Sequence, residues 1–334
     1  MMGAMPAALA NAPTLESAAE RLAALLLGGD SGLSDPGNQL LEFETTIEPR
    51  PLPLGTVPSE FWAVDGGQAI VADARCLQVV ATRAATVRFV RSRCIEEAPG
   101  ELQVTLLGGE AARLAALQGL GVEGLPADAA VDLNLLRDRG EWAAVERCIE
   151  SGAPGAFVLV DGDLQPDWRL SRQLVTDLLG RAAAGGITVA GVTKHTALAR
   201  GGAPLLGQLE REATVRFGAR ARWWALIGRT RADGGEVQVV AARLDPHARF
   251  AFRIDLPASV DPEVALGALA TVCDDAGFPG YPYPLTVADK LAAVPGWERN
   301  DLRFGLDELL RGAGVPEDVI DRAFADRHRL MERS

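Results

Sequence analysis

Two aspartates each follow an apolar run and precede a glycine. The first run, Phe61–Val64, leads into Asp65, and the second, Phe157–Val160, leads into Asp161. An apolar run of this kind predicts a buried strand, and Asp-Gly after it predicts a turn that leaves the carboxylate at the strand end. Two such strands side by side would bring the carboxylates together. Crowded carboxylates repel one another unless a cation separates them, and Mg²⁺ or Mn²⁺ prefers such hard oxygen ligands. The pattern therefore predicts a metal site suited to phosphoryl transfer.

A third carboxylate is expected from a helix between the two strands. Arg137 and Glu141 are four residues apart and so share one helix face. An isolated surface pair of this type would contribute only a few tenths of a kcal/mol to stability. Beside two strand-end aspartates, Glu141 would instead complete an acidic triad. Glu146 is the alternative, and spacing does not decide between the two.

Further along, a lysine and a tyrosine-rich segment could act on a phosphate. Lys194 ends the apolar strand after Asp161 and either is solvated or holds phosphate as a point charge. The chain's two tyrosines, Tyr281 and Tyr283, stand within three residues of each other. The prolines between and after them predict an extended entry into a helix that begins at Leu285. Asp289 would then lie one turn into that helix.

The elements that position these residues follow an α/β pattern, which predicts a mixed sheet flanked by helices. Helices are expected at 14–28, 110–117, 128–150, 171–184 and 262–273, and two short ones within 301–333. Strands are expected at 77–90, 103–107, 187–192 and 249–256, with a hairpin of 222–230 and 236–243 around Asp233-Gly234-Gly235. Prolines at positions 49, 51, 53 and 58 predict a connector without regular structure.

The whole chain limits the function classes. Its 334 residues, 48% hydrophobic, can bury a sizeable core, and its net charge of −12 argues against a broad nucleic-acid-coating surface. The four cysteines form no CxxC pair, so no zinc site is predicted and buried reduced thiols are expected. No apolar run approaches the ~20 residues needed to span a bilayer, and residues 1–13 lack a basic signal-peptide segment. We expect a cytoplasmic protein without membrane contact.

One rival interpretation concerns Asp161-Gly162-Asp163. Haloacid-dehalogenase-type phosphotransferases carry Asp-x-Asp after an apolar strand, with the first aspartate as nucleophile. That family usually has threonine two positions after the second aspartate, where this chain has Gln165. Its motif also opens the domain, whereas here an α/β segment precedes it. A haloacid-dehalogenase-like phosphohydrolase is therefore the less favoured alternative.

Taken in order, the motifs resemble the NurA nuclease family. They are the Asp-Gly strand, the Arg-x-x-x-Glu helix, the Val-Asp-Gly-x-Leu strand, the Gly-Val-x-Lys strand and Tyr-Pro-x-Pro-Leu-x-x-Ala, and they cover roughly 61–290. Each is weak singly, but their order makes the set fairly specific. The resemblance implies a ribonuclease-H-like fold with N- and C-terminal helical extensions. It also implies a Mn²⁺-dependent 5′-to-3′ DNA nuclease that acts as a homodimer with the hexameric translocase HerA.

Carried over by motif, Asp65, Glu141 and Asp161 would be the metal-binding acids and Tyr281 the motif tyrosine. Two positions depart from the family pattern. The first motif usually reads Asp-Gly-Ser but is Asp65-Gly66-Gly67 here, and Asp289 stands where the family has histidine. Aspartate can still bind Mn²⁺, although it adds negative charge. The departures bear on metal preference and activity more than on fold.

These considerations predict a nuclease domain at 56–300, after a helical extension and Pro-rich connector at 1–55 and before helices at 301–334. Asp65, Glu141, Asp161 and Asp289 would hold one or two Mn²⁺ or Mg²⁺ ions that activate water for attack on a phosphodiester. Lys194 would offset phosphate charge, and Tyr281 would orient phosphate or water. The function expected is DNA end resection in double-strand break repair, by 5′-to-3′ exonuclease and single-strand endonuclease activity. The competing hypothesis is a catalytically degenerate module that only binds the translocase. Digestion polarity, strand preference and metal number are left open by the sequence.

Overall fold

The computed structural model describes residues 14–27, 32–36, 40–91, 93–110, 131–165, 169–170, 172–232 and 235–325. The helices are α1 (Leu15–Leu27), α2 (Leu133–Ser151), α3 (Arg172–Ala184), α4 (Leu205–Phe217), α5 (Pro262–Leu269), α6 (Tyr283–Ala292), α7 (Gly296–Gly312) and α8 (Glu317–Phe324). The strands up to the first parallel pair are β1 (Leu33–Ser34), β2 (Leu41–Phe43), β3 (Arg50–Pro51), β4 (Glu60–Asp73), β5 (Gln78–Val90), β6 (Arg93–Ala98), β7 (Gln103–Leu107) and β8 (Phe157–Asp161). The remaining strands are β9 (Thr188–Thr193), β10 (Ala199–Arg200), β11 (Ala203–Pro204), β12 (Trp223–Ala232), β13 (Gly235–Arg243) and β14 (Phe252–Pro257).

A mixed sheet in the order β2-β12-β13-β14-β9-β8-β4-β5-β6 forms the centre of the described chain, with β3 added beside β12 and β7 beside β5. The pairs β4–β8 and β8–β9 are parallel, whereas β4–β5 and β5–β6 are antiparallel. Parallel neighbours need a crossover, and α3 provides it between β8 and β9. The segment β6-β5-β4-β8-β9 is the ribonuclease-H-like sheet that the sequence resemblance implied.

Side chains of β4 alternate between two cores, as the period of a strand requires. Trp62 and Val64 pack with α2 and α3 on one face, whereas Phe61 and Ala63 pack with α5 and α6 on the other. Helix α2 begins where the Asp132 carboxylate accepts a hydrogen bond from the Leu135 amide at 3.0 Å, a typical N-cap. The two faces are therefore covered by different helices, and each can bring its own side chains to the sheet.

Strand β4 differs from the prediction that a turn follows Asp65. It runs without interruption through Gly66-Gly67 and pairs with β5 up to Asp73. The glycines serve close packing here: a Cβ on Gly66 would lie 2.0 Å from Glu141 Oε1, and one on Gly67 would lie 1.8 Å from the Ala292 carbonyl oxygen. The prediction of a turn after Asp65 was therefore wrong. The prediction that the strand ends at Asp161 is confirmed, because Asp161 is the last residue of β8.

Several other expectations differ from the structure. The Pro-rich connector is not free of regular structure, because β2 and β3 pair with β12, and Pro51 is tolerated at an edge. Helix α4 and strand β6 were not predicted. The helix expected at 110–117 lies outside the described residues except for its first position. The cysteines were expected to be buried, but Cys76 and Cys94 are exposed. Among the described residues, no helix is both long and apolar enough to cross a bilayer.

Candidate metal centre

Three carboxylates from three elements converge beside the end of β8. In the parallel pair β4–β8, Val64 lies opposite Val160, so Asp65 and Asp161 are the next residues of adjacent strands. Strand alternation directs both toward the face covered by α6, which contributes Asp289. One oxygen from each carboxylate lies within 4.8 Å of the others. The structure thus brings together three of the side chains expected to bind metal.

Helix α6 owes its position to the proline-rich segment before it. Pro284 stands in its first turn, where a missing amide proton leaves no helical hydrogen bond unmade. The helix buries Leu285 and Ala288 against the sheet. The next residue, Asp289, keeps a side chain that is 58% exposed while still reaching the other carboxylates. Its position at the rim leaves the site open to solvent.

Within the described chain, Lys194 is the cation that pairs with these carboxylates. Its Nζ lies 2.6 Å from Asp161 Oδ2 and 3.6 Å from Asp289 Oδ1, and its side chain is 38% exposed. Partial burial lowers the pKa of Lys194, but the hydrogen bond that it donates to Asp161 and the nearby negative charges raise that pKa by more. We call Asp65, Asp161, Asp289 and Lys194 the open cluster. One ammonium against three carboxylates leaves it with excess negative charge.

Burial and the excess negative charge of the open cluster raise the pKa of Asp65. Burial, together with the negative charges of Asp161 and Asp289, raises the pKa of Asp65 to about 7. The amide of Gly66 opposes the rise by donating a hydrogen bond to Asp65 Oδ1 at 2.7 Å. An aspartate with this pKa needs further positive charge nearby if it is to be fully ionised at neutral pH.

Tyr281 lies beneath the cluster. Its ring packs against Phe252 and Phe278, and Lys194 Nζ is 5.0 Å from the ring centroid, within cation–π range. Its buried hydroxyl lies beside Asp161 but makes no hydrogen bond of standard geometry within the described part of the chain. Burial and the charges of Asp161 and Asp65 raise the pKa of Tyr281. The hydroxyl is therefore a neutral donor beside the carboxylates. Tyr283 is instead partly exposed and packs edge-on against Phe89, at the first turn of α6.

Glu141 approaches from the opposite face of the sheet and is not a member of the three-carboxylate group. Its carboxylate fills the space that Gly66 leaves, with Oε1 3.1 Å from Arg137 Nε. Burial raises the pKa of Glu141 to about 8, opposed by Arg137 and reinforced by Asp138, Asp65 and Asp161. Glu141 is thus within electrostatic reach of the open cluster. Glu146, the alternative, pairs with Arg181 on α3 at 2.6 Å.

Glycine rather than the family's serine at position 67 has a steric explanation. A side chain there would meet the backbone at the C-terminal end of α6, and backbone cannot move aside as a flexible side chain can. Helix α6 is also the helix that carries Asp289. The two departures from the family motifs therefore occur at positions that the structure links through one helix.

The donor set fits a hard divalent cation. Three carboxylates lie close enough to share one ion, and the shortage of positive charge around Asp65 is what such an ion would correct. Carboxylate oxygens without sulfur or imidazole favour Mg²⁺ or Mn²⁺ over softer metals. The residues that would hold the ion are Asp65, Asp161 and Asp289.

A second group of three carboxylates around one cation lies beside the first, and it was not predicted from the sequence. Arg253 on β14 pairs with Asp255 at 2.8 Å, with Asp35 at 3.1 Å and with Asp163 at 3.8 Å. Asp255 also accepts a hydrogen bond from the Leu164 amide at 3.3 Å. We call Asp35, Asp163, Asp255 and Arg253 the closed cluster. Alternation of apolar and charged residues in Phe252–Leu256 was the available signal, but it is typical of a solvent-facing strand, whereas here both faces are buried.

The closed cluster also bears on the haloacid-dehalogenase alternative. Burial and Asp255 raise the pKa of Asp163 to about 6, and its partner is Arg253, whereas Asp161 is bound to Lys194. The two carboxylates of Asp161-Gly162-Asp163 therefore belong to different networks rather than to one phosphotransferase site.

Comparison with known proteins gives the fold but no match in sequence. The sequence matches no family model and no curated protein. The crystal structure of the NurA nuclease from Sulfolobus solfataricus is similar in fold, with a TM-score of 0.57 and 16% identity over 79% of this chain and 88% of that one. A second NurA structure gives a TM-score of 0.39 at 8% identity, covering 72% and 86% of the two chains. The catalytic domain of human Endonuclease V gives 0.40 at 14% identity, covering 80% and 92%. We base the fold assignment on the first of these, and the chain accordingly has the NurA-like, ribonuclease-H-like fold that its motifs predicted.

Proposed function

We propose that this chain is a metal-dependent phosphodiesterase of the NurA type that cleaves DNA. The observation that carries the proposal is the open cluster: three carboxylates with oxygens within 4.8 Å, under-neutralised by a single lysine, at a solvent-open edge of the sheet. A purely structural group of this composition would be expected to have its charges balanced. An excess of negative charge held in place by three separate elements is suited to binding a divalent ion.

The residues of the site would have different roles, each set by its position. A divalent ion held by Asp65, Asp161 and Asp289 would supply Lewis acidity and charge neutralisation at a phosphodiester. Lys194, partly exposed beside two of those carboxylates, would place its ammonium near the non-bridging phosphate oxygens. The neutral Tyr281 hydroxyl would donate a hydrogen bond to phosphate or water. Glu141 would join the ligands only by leaving Arg137, so its role is secondary to that of the three aspartates.

The finer features of the proposal come from the family resemblance. They are Mn²⁺ as the preferred ion, 5′-to-3′ exonuclease with single-strand endonuclease activity, and cytoplasmic action in DNA end resection. They also include a homodimer and a HerA-type hexameric translocase as partners. A translocase that delivers DNA would suit a chain with a net charge of −12, because such a chain attracts a polyanion only locally.

The test is cleavage of linear DNA labelled at the 5′ or the 3′ end, with Mn²⁺, Mg²⁺ or EDTA. Wild type is compared with Asp161→Ala and with Asp301→Ala, an exposed aspartate on α7 that serves as the matched control. We expect metal-dependent cleavage by wild type and Asp301→Ala and none by Asp161→Ala. The label released first gives the polarity. Cleavage by Asp161→Ala at the wild-type rate would refute the proposal.

The degenerate-module alternative predicts a different result. A module that only binds the translocase would cleave in none of these conditions, and the addition of HerA would not restore cleavage. It would also show no saturable Mn²⁺ binding by calorimetry. Restoration of cleavage by HerA would instead favour an enzyme that depends on its partner.

A further inference from the structure

Arg83 of β5 joins the sheet to the end of α6, the helix that carries Asp289. It lies opposite Gly67 in the β4–β5 pair, and its side chain points to the face that α6 covers. Its Nη1 donates a hydrogen bond to the carbonyl oxygen of Ala293 at 3.4 Å, and its Nη2 forms an ion pair with Glu298 in the first turn of α7. One guanidinium therefore contacts the chain on both sides of the passage from α6 to α7.

The contact of Arg83 is partly buried and electrostatically favourable. The side chains of Arg83 and Glu298 are 13% and 20% exposed, so solvent screens their attraction less than that of a surface pair. Ala293 directly follows the last residue of α6, where the helix has its negative end and its carbonyl groups lack partners within the helix. A guanidinium suits this position because its several donors can bind a carbonyl and a carboxylate at once. Arg83 is thus well placed to hold the end of α6 on the sheet.

Asp289 belongs to the helical turn that this arginine holds. Its carbonyl oxygen accepts a hydrogen bond from the Ala293 amide at 3.1 Å, so Ala293 closes the same turn. The Ala292 carbonyl lies so close to β4 that position 67 has no room for a side chain. Within the described chain, the largely exposed carboxylate of Asp289 makes an ion pair only with Lys194, at 3.6 Å. The backbone of this turn, rather than contacts of the carboxylate itself, therefore sets where Asp289 reaches the open cluster.

We propose that Arg83 is a positioning residue of the metal centre: it holds the last turn of α6 on the sheet and so fixes the place from which Asp289 reaches the ion. The inference rests on the proposed function, because Asp289 is a ligand only if the open cluster binds a divalent cation. Arg83 contacts Ala293 and Glu298, neither of which belongs to that cluster, so it acts on the placement of a ligand rather than on the reacting atoms. Its loss should therefore raise the Mn²⁺ concentration needed for cleavage and leave the rate at saturating Mn²⁺ close to that of wild type.

The first test is calorimetric titration of the full chain with Mn²⁺, beside cleavage rates over a series of Mn²⁺ concentrations. Arg83→Gln is paired with Arg88→Gln. Arg88 also lies on β5 and pairs with a glutamate, Glu60, at 2.6 Å, but it stacks over Trp62 on the opposite face of the sheet.

We expect Arg83→Gln to weaken Mn²⁺ binding about three- to tenfold, near the lower end of the range for groups that orient a metal ligand, because Asp289 is one ligand of three. Arg88→Gln should lower stability, since it leaves Glu60 buried with fewer partners, but should keep Mn²⁺ affinity within about twofold of wild type. Equal weakening in both variants would trace the effect to stability alone and would overturn the proposal.

A double-mutant cycle with Asp289→Asn tests whether Arg83 acts through Asp289. In the Asp289→Asn background, Arg83→Gln should change Mn²⁺ affinity by less than about twofold, because only independent effects add. Weakening by the same factor in both backgrounds would mean that Arg83 does not act through this carboxylate, and the proposal would fail.

Hydrogen exchange in EDTA gives a readout that needs no metal. The amides of the last turn of α6, residues 289–293, should exchange faster in Arg83→Gln than in wild type, and at the wild-type rate in Arg88→Gln. Unchanged exchange in Arg83→Gln would overturn the positioning role. Failure of the proposed function would appear separately, as no saturable Mn²⁺ binding and no cleavage by wild type while the difference in exchange persists.

Discussion

The open and closed clusters have the same composition, three carboxylates around one cation, yet their surroundings differ. In the closed cluster the side chains of Arg253 and Asp255 are 4% and 0% exposed, and two nitrogens of the guanidinium bind both oxygens of Asp255. In the open cluster Lys194 and Asp289 are 38% and 58% exposed. A planar guanidinium with five donors can serve several carboxylates at once, whereas an ammonium is a point charge.

Under the proposed function, the closed cluster has a structural role and the open cluster a chemical one, although both are built from the same kinds of charged group. The closed cluster joins β14 to the segment after Asp161, through the Leu164 amide and Asp163. It therefore fixes the backbone from which Asp161 projects. Among the residues that the structure describes, the open cluster has no comparable set of donors, and its negative charge is incompletely neutralised. We interpret the closed cluster as a structural support for the open one. An unfavourable arrangement at a site can persist when the surrounding structure holds it in place, and here the unfavourable arrangement is the incompletely neutralised charge of the open cluster.

The largest expected effect follows from neutralising Asp65. Asp65→Asn should reduce metal-dependent DNA cleavage on the order of a thousandfold, because a lost ligand removes several kcal/mol of charge stabilisation. The free energy of unfolding of the metal-free protein at pH 8 should stay equal or rise, since a buried, under-neutralised carboxylate is removed. Urea unfolding in EDTA and cleavage in Mn²⁺ measure the two quantities. Lower stability together with retained cleavage would reverse the assignment of this residue.

For the closed cluster we expect the free energy of unfolding to fall when a carboxylate is removed. Asp255→Ala leaves the guanidinium of Arg253 buried with weaker partners, and should lower the free energy of unfolding by about 3–5 kcal/mol. Urea unfolding of Asp255→Ala is compared with that of Asp301→Ala, which shows how much stability is lost when an aspartate outside the cluster is replaced. If Asp255→Ala were as stable as the control, the closed cluster would not be the supporting element.

The residues that were predictable are those with a local signal. Asp161 could be found because an apolar run and an Asp-Gly turn coincide at the end of β8. The position of Asp65 was also found, although its strand continues, because the apolar run before it is local as well. The closed cluster could not be found, since Arg253 and Asp35 are 218 residues apart and meet only in the folded chain. Glu141 was correctly predicted to lie on a helix. Its approach from the other face of the sheet could not be predicted, because it depends on the space left by Gly66.

A smaller effect concerns pH and metal together. The pKa of Asp65 is about 7 in the folded chain and near 4 when unfolded, so the folded state binds more protons between these values. Stability of the metal-free protein should therefore fall as pH rises through this window, by about 1–3 kcal/mol. Asp163 and Glu141, whose pKa values are also raised, add in the same direction.

A divalent ion would offset the penalty that ionised Asp65 carries. The rise in Tm on adding Mg²⁺ or Mn²⁺ should thus be larger at pH 8 than at pH 6, and the difference should disappear in Asp65→Asn. Differential scanning fluorimetry at matched ionic strength measures it. An equal rise at both pH values in wild type would contradict the link between this carboxylate and the ion.

The smallest effect is expected at the rim of the open cluster. Asp289 is its most exposed member, so Asp289→His should reduce Mn²⁺-supported cleavage by only about tenfold or less, a range typical of groups that tune a metal site. Imidazole is a poorer ligand than carboxylate for Mg²⁺, so the ratio of Mg²⁺-supported to Mn²⁺-supported cleavage should fall. Asp301→His controls for a surface histidine. An unchanged ratio would mean that Asp289 does not touch the ion and that its carboxylate serves only to hold Lys194. That result would leave Asp65 and Asp161 as the strand-borne ligands and would make Glu141 the remaining candidate for the third.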